Sequence, residues 1–328
     1  MESLIFALEA VLPIIMMVAL GYIIKRIGYV KQEHAKMLNK LVFRLFLPVM
    51  LFLNVYSIET VSGLSYSYIV YAVISVLIIF LVFLPITMAA TKENERRGAM
   101  LQSTFRSNYA LIGIPLAQSL FGQAGATVAT LLSAAIIPVF NILAVINFSI
   151  FRHNSTKVSL KKIFLDIIKN PLIISIFIGV VTLGIRALFG NLGITFRLTD
   201  IEPVFKVLKY LSSVATPLAL LVLGIQFEFS AVSELRKEII TGVLIRTAVV
   251  PLLGLSVAYL FFRDVFSGAH FATFVAVFAT PVAVSSVPMA QEMDSDVVLA
   301  GQLVIWTTLF SAFTVFIASF LLKLVGIF

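Results

Sequence analysis

The run from residue 107 to 151, SNYALIGIPLAQSLFGQAGATVATLLSAAIIPVFNILAVINFSIF, decides the fold. It holds no Asp, Glu, Lys or Arg. A helix needs about 20 mostly apolar residues to cross the hydrocarbon core of a bilayer, so this run suffices for two crossings. Residues 60–91 are likewise free of charge and supply another.

The rest of the chain agrees with these two runs. Of its 328 residues 60% are hydrophobic and only 12% charged, and the mean hydropathy is +1.08. Soluble domains are about a quarter charged, and no soluble core could hide this much apolar side chain. The sequence therefore predicts an all-α membrane protein. Ten spans are expected, near residues 4–24, 38–56, 66–90, 99–121, 126–150, 170–189, 204–227, 238–262, 270–291 and 297–324. The first apolar run carries Glu9 and leads into basic residues rather than a small-residue cleavage site, so it reads as a span and not as a signal peptide.

Charge in the connecting segments alternates. Segments after odd spans hold Lys25, Arg26, Lys31 and Lys36, then Lys92, Arg96 and Arg97, then Arg152, Lys157, Lys161, Lys162 and Lys169, then Arg236 and Lys237. Those after even spans are poorer in cations, apart from Arg186, Arg197 and Arg263. The positive-inside rule then puts the odd segments in the cytoplasm of a cell-membrane protein, with both termini outside. The net charge of +8 is explained by this topology, and no nucleic-acid partner is expected. Between Lys157 and Lys169 lysines alternate with Val158, Ile163, Phe164, Ile167 and Ile168. Two readings stand, a helix on the membrane surface or an extension of span 6.

Prolines recur at a nearly constant offset. Pro48 and Pro217 are 169 residues apart, Pro85 and Pro251 166, Pro115 and Pro281 166, and Pro13 and Pro171 158. Pro13 and Pro171 are each followed eight residues later by glycine, Gly21 and Gly179. The pattern predicts two five-span repeats, 1–151 and 170–328, joined by a cytoplasmic linker, 152–169. An odd number of spans per repeat inverts the second copy, the plan of many secondary transporters.

Two spans carry breakers inside them. Span 4 contains Asn108, Tyr109, Gly113, Ile114 and Pro115; span 9 contains Thr280, Pro281, Val282, Ser285, Ser286 and Pro288. Proline removes an amide donor and disrupts the helix ladder, which a membrane helix tolerates only where the freed groups face protein, water or ligand. If the breaks cross, half-helix N-termini meet near the midplane and offer free amides to a carboxylate. Asn108 and the hydroxyls of Thr280, Ser285 and Ser286 are the candidate side-chain ligands. Each proline can also act as a plain kink.

Three motifs in order resemble the auxin efflux carriers and their bacterial members. These are Asn108 to Pro115 with its Gly-x-Pro ending, residues 281–292 (PVAVSSVPMAQE), and residues 217–224 (PLALLVLG). The resemblance runs the length of the chain. It implies a fold like that of bile-acid symporters and sodium/proton antiporters, with broken, crossing helices 4 and 9. A panel of helices 1, 2, 6 and 7 and a core of helices 3–5 and 8–10 are then expected to move past each other as an elevator. It also implies organic-anion substrates, indole-3-acetate in plants and dicarboxylates such as malate or malonate in bacteria, and a homodimer. The middle segment of about 20 residues is like that of the short bacterial members, which argues against auxin itself.

Other polar residues inside spans are candidates with open alternatives. Asn54 faces either the substrate or a packing partner. Arg44, Arg106 and Arg246 lie about two turns inside the cytoplasmic ends of spans 2, 4 and 8, where a charge usually faces the protein interior or water, and Arg106 either attracts an anion inward or snorkels to lipid phosphate. Gln291 and Glu292, with Asp294, form a proton or sodium site or a solvated helix end. Gln118, Asn141 and Asn147 read as packing residues.

An enzyme is not indicated. The histidines, His34, His153 and His270, lack carboxylates at metal-ligand spacing, there is no cysteine, and nucleophile elbows and phosphate loops are absent. No metal or cofactor is expected. The rival reading is a sodium- or proton-coupled cation exchanger on the same fold. Such a protein usually places a carboxylate beside the breaks, and here Arg106 is the only charge there.

Overall fold

The computed structural model of the chain describes residues 2–58, 66–152 and 160–328. The structure is helical, and no strand occurs among the described residues. In order the helices are α1 (Glu2–Arg26), α2 (Gln32–Leu41), α3 (Leu47–Tyr56), α4 (Ser67–Ala90), α5 (Asn94–Phe105), α6 (Ile114–Ile150) and α7 (Leu160–Lys169). They continue with α8 (Pro171–Asn191), α9 (Glu202–Gln226), α10 (Ala231–Glu234), α11 (Arg236–Leu244), α12 (Val250–Phe262), α13 (Gly268–Phe278), α14 (Ser286–Glu292) and α15 (Val297–Leu324).

Among the described residues seven helical runs are long and apolar enough to cross a membrane, and Gly268–Phe278 is a shorter apolar helix. Large apolar side chains face outward, such as Leu81 at 63% exposure, Phe177 at 66% and Leu252 at 67%. In water this surface would be an aggregation hazard; in lipid it is the matching solvent.

Three π turns interrupt the α-helical ladder, at Val42–Phe46, Tyr109–Gly113 and Ile245–Val249. Each ends two residues before a proline: Pro48, Pro115 and Pro251. A proline ring collides with the carbonyl four residues back and offers it no donor. Those carbonyls belong to Arg44, Leu111 and Thr247, the middle residue of each π turn. The wider turn moves the carbonyl aside, so each helix passes its proline without breaking.

That changes where span 4 breaks. The sequence places the break at Pro115, but the helix runs from Tyr109 through Pro115, and the non-helical residues are Arg106 to Asn108. In span 9 the break is at the expected place, between Phe278 and Ser286, and contains Pro281. Pro288 sits in the first turn of α14, where a missing amide has no partner to lose. The stretch expected to hold spans 4 and 5 is one helical run, Tyr109–Ile150, with a kink at Phe121 and Gly122, where Gly122 has φ 59°. A side chain there would be strained, so glycine makes the corner.

Helix α7 is separate from α8. Asn170 between them is extended, at φ −71° and ψ 123°, and its side chain caps Leu172. A continuous extension of span 6 is thus excluded. Phe164 and Ile168 of α7 are exposed. Lys157, Val158 and His153 lie outside the described residues.

Two close helix pairs frame the fold. Helix α1 lies against α9 through Gly21 and Gly224; a Cβ on Gly21 would stand 2.1 Å from the Leu221 carbonyl, and one on Gly224 2.0 Å from the Val18 carbonyl. Helix α8 lies against α3, where a Cβ on Gly179 would stand 2.9 Å from the Val55 Cβ. Small residues let membrane helices approach to backbone contact. Helix α13 is the innermost element, with every residue from 271 to 278 buried, and it packs on α6 and α12.

Candidate functional site

The two breaks lie side by side and antiparallel, paired at Ser107 and Val282. The Asn108 amide donates to the Pro281 carbonyl at 2.8 Å, and the Ala283 amide donates to the Arg106 carbonyl at 3.3 Å. The Val282 amide donates to the Thr307 hydroxyl on α15 at 3.1 Å. The backbone groups that the breaks release thus find partners in one another, as a buried irregular segment requires.

A cavity of about 160 Å³ borders the paired breaks. One wall comes from α3 and α9, with Met50, Asn54 and Thr216; the other from the breaks and α6, with Arg106, Asn108, Asn141 and Ser285 among them. Arg106 is only 4% exposed. Its guanidinium donates to Asn141 Oδ1 at 3.0 Å, to Ser285 Oγ at 3.0 Å and to the weak acceptor Met289 Sδ at 2.9 Å. No carboxylate among the described residues pairs with it. Snorkelling to lipid is ruled out by this burial.

Asn108 precedes the helix that begins at Tyr109, and Tyr109, Ala110 and Leu111 line the cavity with it. The Asn108 Nδ2, Ser107 Oγ and Ser286 Oγ atoms are buried with no hydrogen-bond partner among the described residues. Buried polar atoms without a partner are costly.

The other candidates separate into groups. Asn54 and Ser285 line the cavity with Asn108, and Val282 lies at the pairing of the breaks. Tyr109 is buried, with its hydroxyl donating to the Ala129 carbonyl at 2.8 Å. Thr280 donates to its own helix, to the Ala276 carbonyl at 2.7 Å. Gly113 lets α13 approach, since a Cβ there would stand 3.1 Å from the Ala276 carbonyl. Ile114 and Pro115 are not part of the cavity wall.

Gln291 and Glu292 are at the far end of α14 from the break. Gln291 Oε1 accepts from Asn39 at 3.0 Å and from Gln226 at 3.1 Å, and Glu292 pairs with Arg44 at 3.0 Å. They tie α14 to α2, α9 and the first π turn. No group of three or more His, Cys, Asp or Glu able to hold a metal occurs among the described residues.

Two residues have partners here that the sequence does not reveal, although Arg246 is legible in it as an intramembrane charge that turns inward. Asn141, read as a packing residue, orients Arg106 from α6. Arg246, on the π turn Ile245–Val249, reaches the breaks from behind and bonds to backbone carbonyls. Only an expectation that buried arginines seek helix C-termini would have found these partners. Asn147 does pack, donating to the Gly98 carbonyl at 2.7 Å, and Gln118 is exposed.

Comparison with known proteins gives the family. Residues 6–319 match the family described as membrane transport proteins. An uncharacterized transporter of Methanothermobacter thermautotrophicus is 24% identical over 315 residues, covering 92% of this chain and 94% of the relative. An uncharacterized transporter of Methanocaldococcus jannaschii is 27% identical over 223 residues, covering 66% of this chain and 68% of the relative. With a match over nearly its whole length and a helical, lipid-suited fold, the chain belongs to the membrane transport protein family of auxin efflux carrier type and is a multi-pass membrane protein.

Proposed function

We propose that the chain is a secondary transporter of a small organic anion, a carboxylate such as a dicarboxylate or an indole acid. The observation that carries this reading is Arg106. A cation on a cavity wall, nearly inaccessible to water and surrounded only by neutral acceptors, is costly until an anion meets it. The uncompensated amide of Asn108 and the start of the helix at Tyr109 add donors and positive potential on the same side. A carboxylate accepts from both a guanidinium and an amide, which suits it to this wall.

The transport cycle follows from the two walls of the cavity. Helices α3 and α9 belong to the panel, made of spans 1, 2, 6 and 7; the breaks and α6 belong to the core, made of spans 3–5 and 8–10. Substrate held on the core wall is carried past the panel by an elevator-type alternating-access movement. Ten spans in two inverted repeats underlie this division. It is supported by Gly21 and Gly179, repeat-equivalent glycines that each seat the first helix of a repeat against a panel helix of the other. The protein acts in the cell membrane with both termini outside.

Purified protein in liposomes, tested with labelled dicarboxylates and indole acids, is expected to bind and move at least one of them. The reading fails if a broad panel of organic anions gives neither binding nor flux while sodium or protons cross alone.

A further inference from the structure

Arg246 occupies a place where its charge does something other than meet a substrate. Its side chain is 1% exposed and does not reach the cavity. The guanidinium makes four hydrogen bonds, all to backbone carbonyls. Nε and Nη2 donate to Thr280 at 2.9 and 2.6 Å, Nη2 also to Val277 at 3.0 Å, and Nη1 to Thr104 at 3.2 Å. Thr104 is in the last turn of α5, Val277 in the last turn of α13, and Thr280 follows α13 into the break. One side chain therefore binds the C-terminal ends of both half-helices.

Those ends carry charge. A helix C-terminus is equivalent to about half a negative charge, so two meeting in the interior amount to about one. No carboxylate among the described residues pairs with Arg246, and an arginine stays protonated. The guanidinium and the two helix ends are each other's counter-ions. A set of backbone carbonyls at half-helix C-termini is also the oxygen environment that suits a bound alkali cation.

We infer that Arg246 is a tethered cation, a positioning residue that fills what would otherwise be a cation site beneath the paired breaks and holds both half-helices in register. Truncating the side chain would then uncover a site for a small free cation, with guanidinium the best fit. The inference stands apart from the anion reading, since it concerns only how the breaks are held.

The test is thermal unfolding of the purified protein in detergent, with no substrate present. Arg246→Ala is expected to melt roughly 5–10 °C below wild type, the consequence of breaking one buried charged interaction in a chain of this size. Millimolar guanidinium chloride should restore part of that loss saturably, whereas urea, its neutral analogue, should not, and wild type should respond to neither. Arg246→Lys and Arg246→Met give a second reading through the yield of monodisperse protein. The lysine variant, which keeps the charge, is expected to outperform the methionine variant, which keeps only the bulk. The inference is overturned if guanidinium does no better than urea on the alanine variant. It is also overturned if methionine equals or exceeds lysine, because Arg246 would then be filling space. If the alanine variant cannot be purified, the lysine–methionine order alone decides.

Discussion

The backbone amide of Asn108 donates to the carbonyl of Pro281 at 2.8 Å, so the break in span 4 and the break in span 9 are one hydrogen-bonded unit. The link uses main-chain atoms only. It fixes the register that brings Ser285 to Arg106, and it leaves the Asn108 side chain free for another role. Substitutions that spare the backbone should therefore separate ligand binding from folding at this position.

Asn108→Ala is the sharpest such change. It removes a buried amide nitrogen that has no partner among the described residues, so the folded protein should be no less stable. If that nitrogen donates to a bound carboxylate, its loss should cost about 1.5–3 kcal/mol of binding, a dissociation constant raised roughly tenfold to a hundredfold. Isothermal calorimetry with an accepted anion, beside a melting curve, reads both. An unchanged affinity would remove Asn108 from the site.

Arg106 should matter more than Asn108, because it brings the charge. Arg106→Gln can still bond to Asn141 and Ser285 but offers an anion only a neutral amide. Anion flux into liposomes should fall by at least ~100-fold, in line with the loss of a desolvated charge pair. Arg106→Lys should fall between the two, since it keeps the charge and loses the planar fork. Equal flux in wild type and the glutamine variant would show that Arg106 only braces α6 against the break.

Much of this architecture is legible in the sequence, and the gaps have physical causes. The uncharged runs give spans because a bilayer admits little else. Pro281 marks its break because the chain is non-helical on both sides of it, at two residues before and four after. Pro115 misleads because the π turn Tyr109–Gly113 absorbs the proline, and the real break sits upstream at Arg106–Asn108. Arg246 is legible as an inward-facing charge, but its partners are not. Its partners are carbonyl oxygens, which every residue has, so no pattern of residue types announces them. Gln291 and Glu292 follow Pro281 closely in the chain, and what the sequence does not reveal is that the length of α14 places them beside Asn39 and Arg44.

The α1–α9 contact depends on two glycines and makes its own prediction. With the Leu221 and Val18 carbonyls so close, neither Gly21 nor Gly224 leaves room for a methyl group. Gly21→Val should force the helices apart and forfeit their close packing. The expected outcome is a large loss of monodisperse protein by fluorescence-detected size exclusion. Gly184→Val on α8 is the control, since nothing lies within 4 Å of a Cβ there, and it should behave as wild type. Equal recovery of the two variants would mean that α1 and α9 do not touch at backbone distance.

Arg96 supplies a prediction in which pH decides the sign. Its side chain is 18% exposed and gathers Glu93 at 2.9 Å, Glu234 at 3.0 Å, Glu238 at 3.4 Å and Asp296 at 3.6 Å, tying the start of α5 to α11 and to the N-cap of α15. Asp296 is held above the usual carboxylate range, chiefly because burial disfavours its charge, although its bond from the Leu299 amide and the nearby Arg96 pull the other way. Removing Arg96 deletes one of those opposing influences, so Asp296 should move up further, with Glu238 also left buried and unpaired. A group whose folded value is raised stabilises the fold only below its unfolded value and loses that contribution as pH rises through the folded one. Arg96→Ala should therefore be destabilised by about 1–3 kcal/mol at neutral pH, with the deficit shrinking as the carboxylates protonate in the acid range. Melting curves of wild type and variant from neutral pH down into that range test this. A deficit that stays constant, or grows toward low pH, would show that Arg96 contributes packing rather than charge.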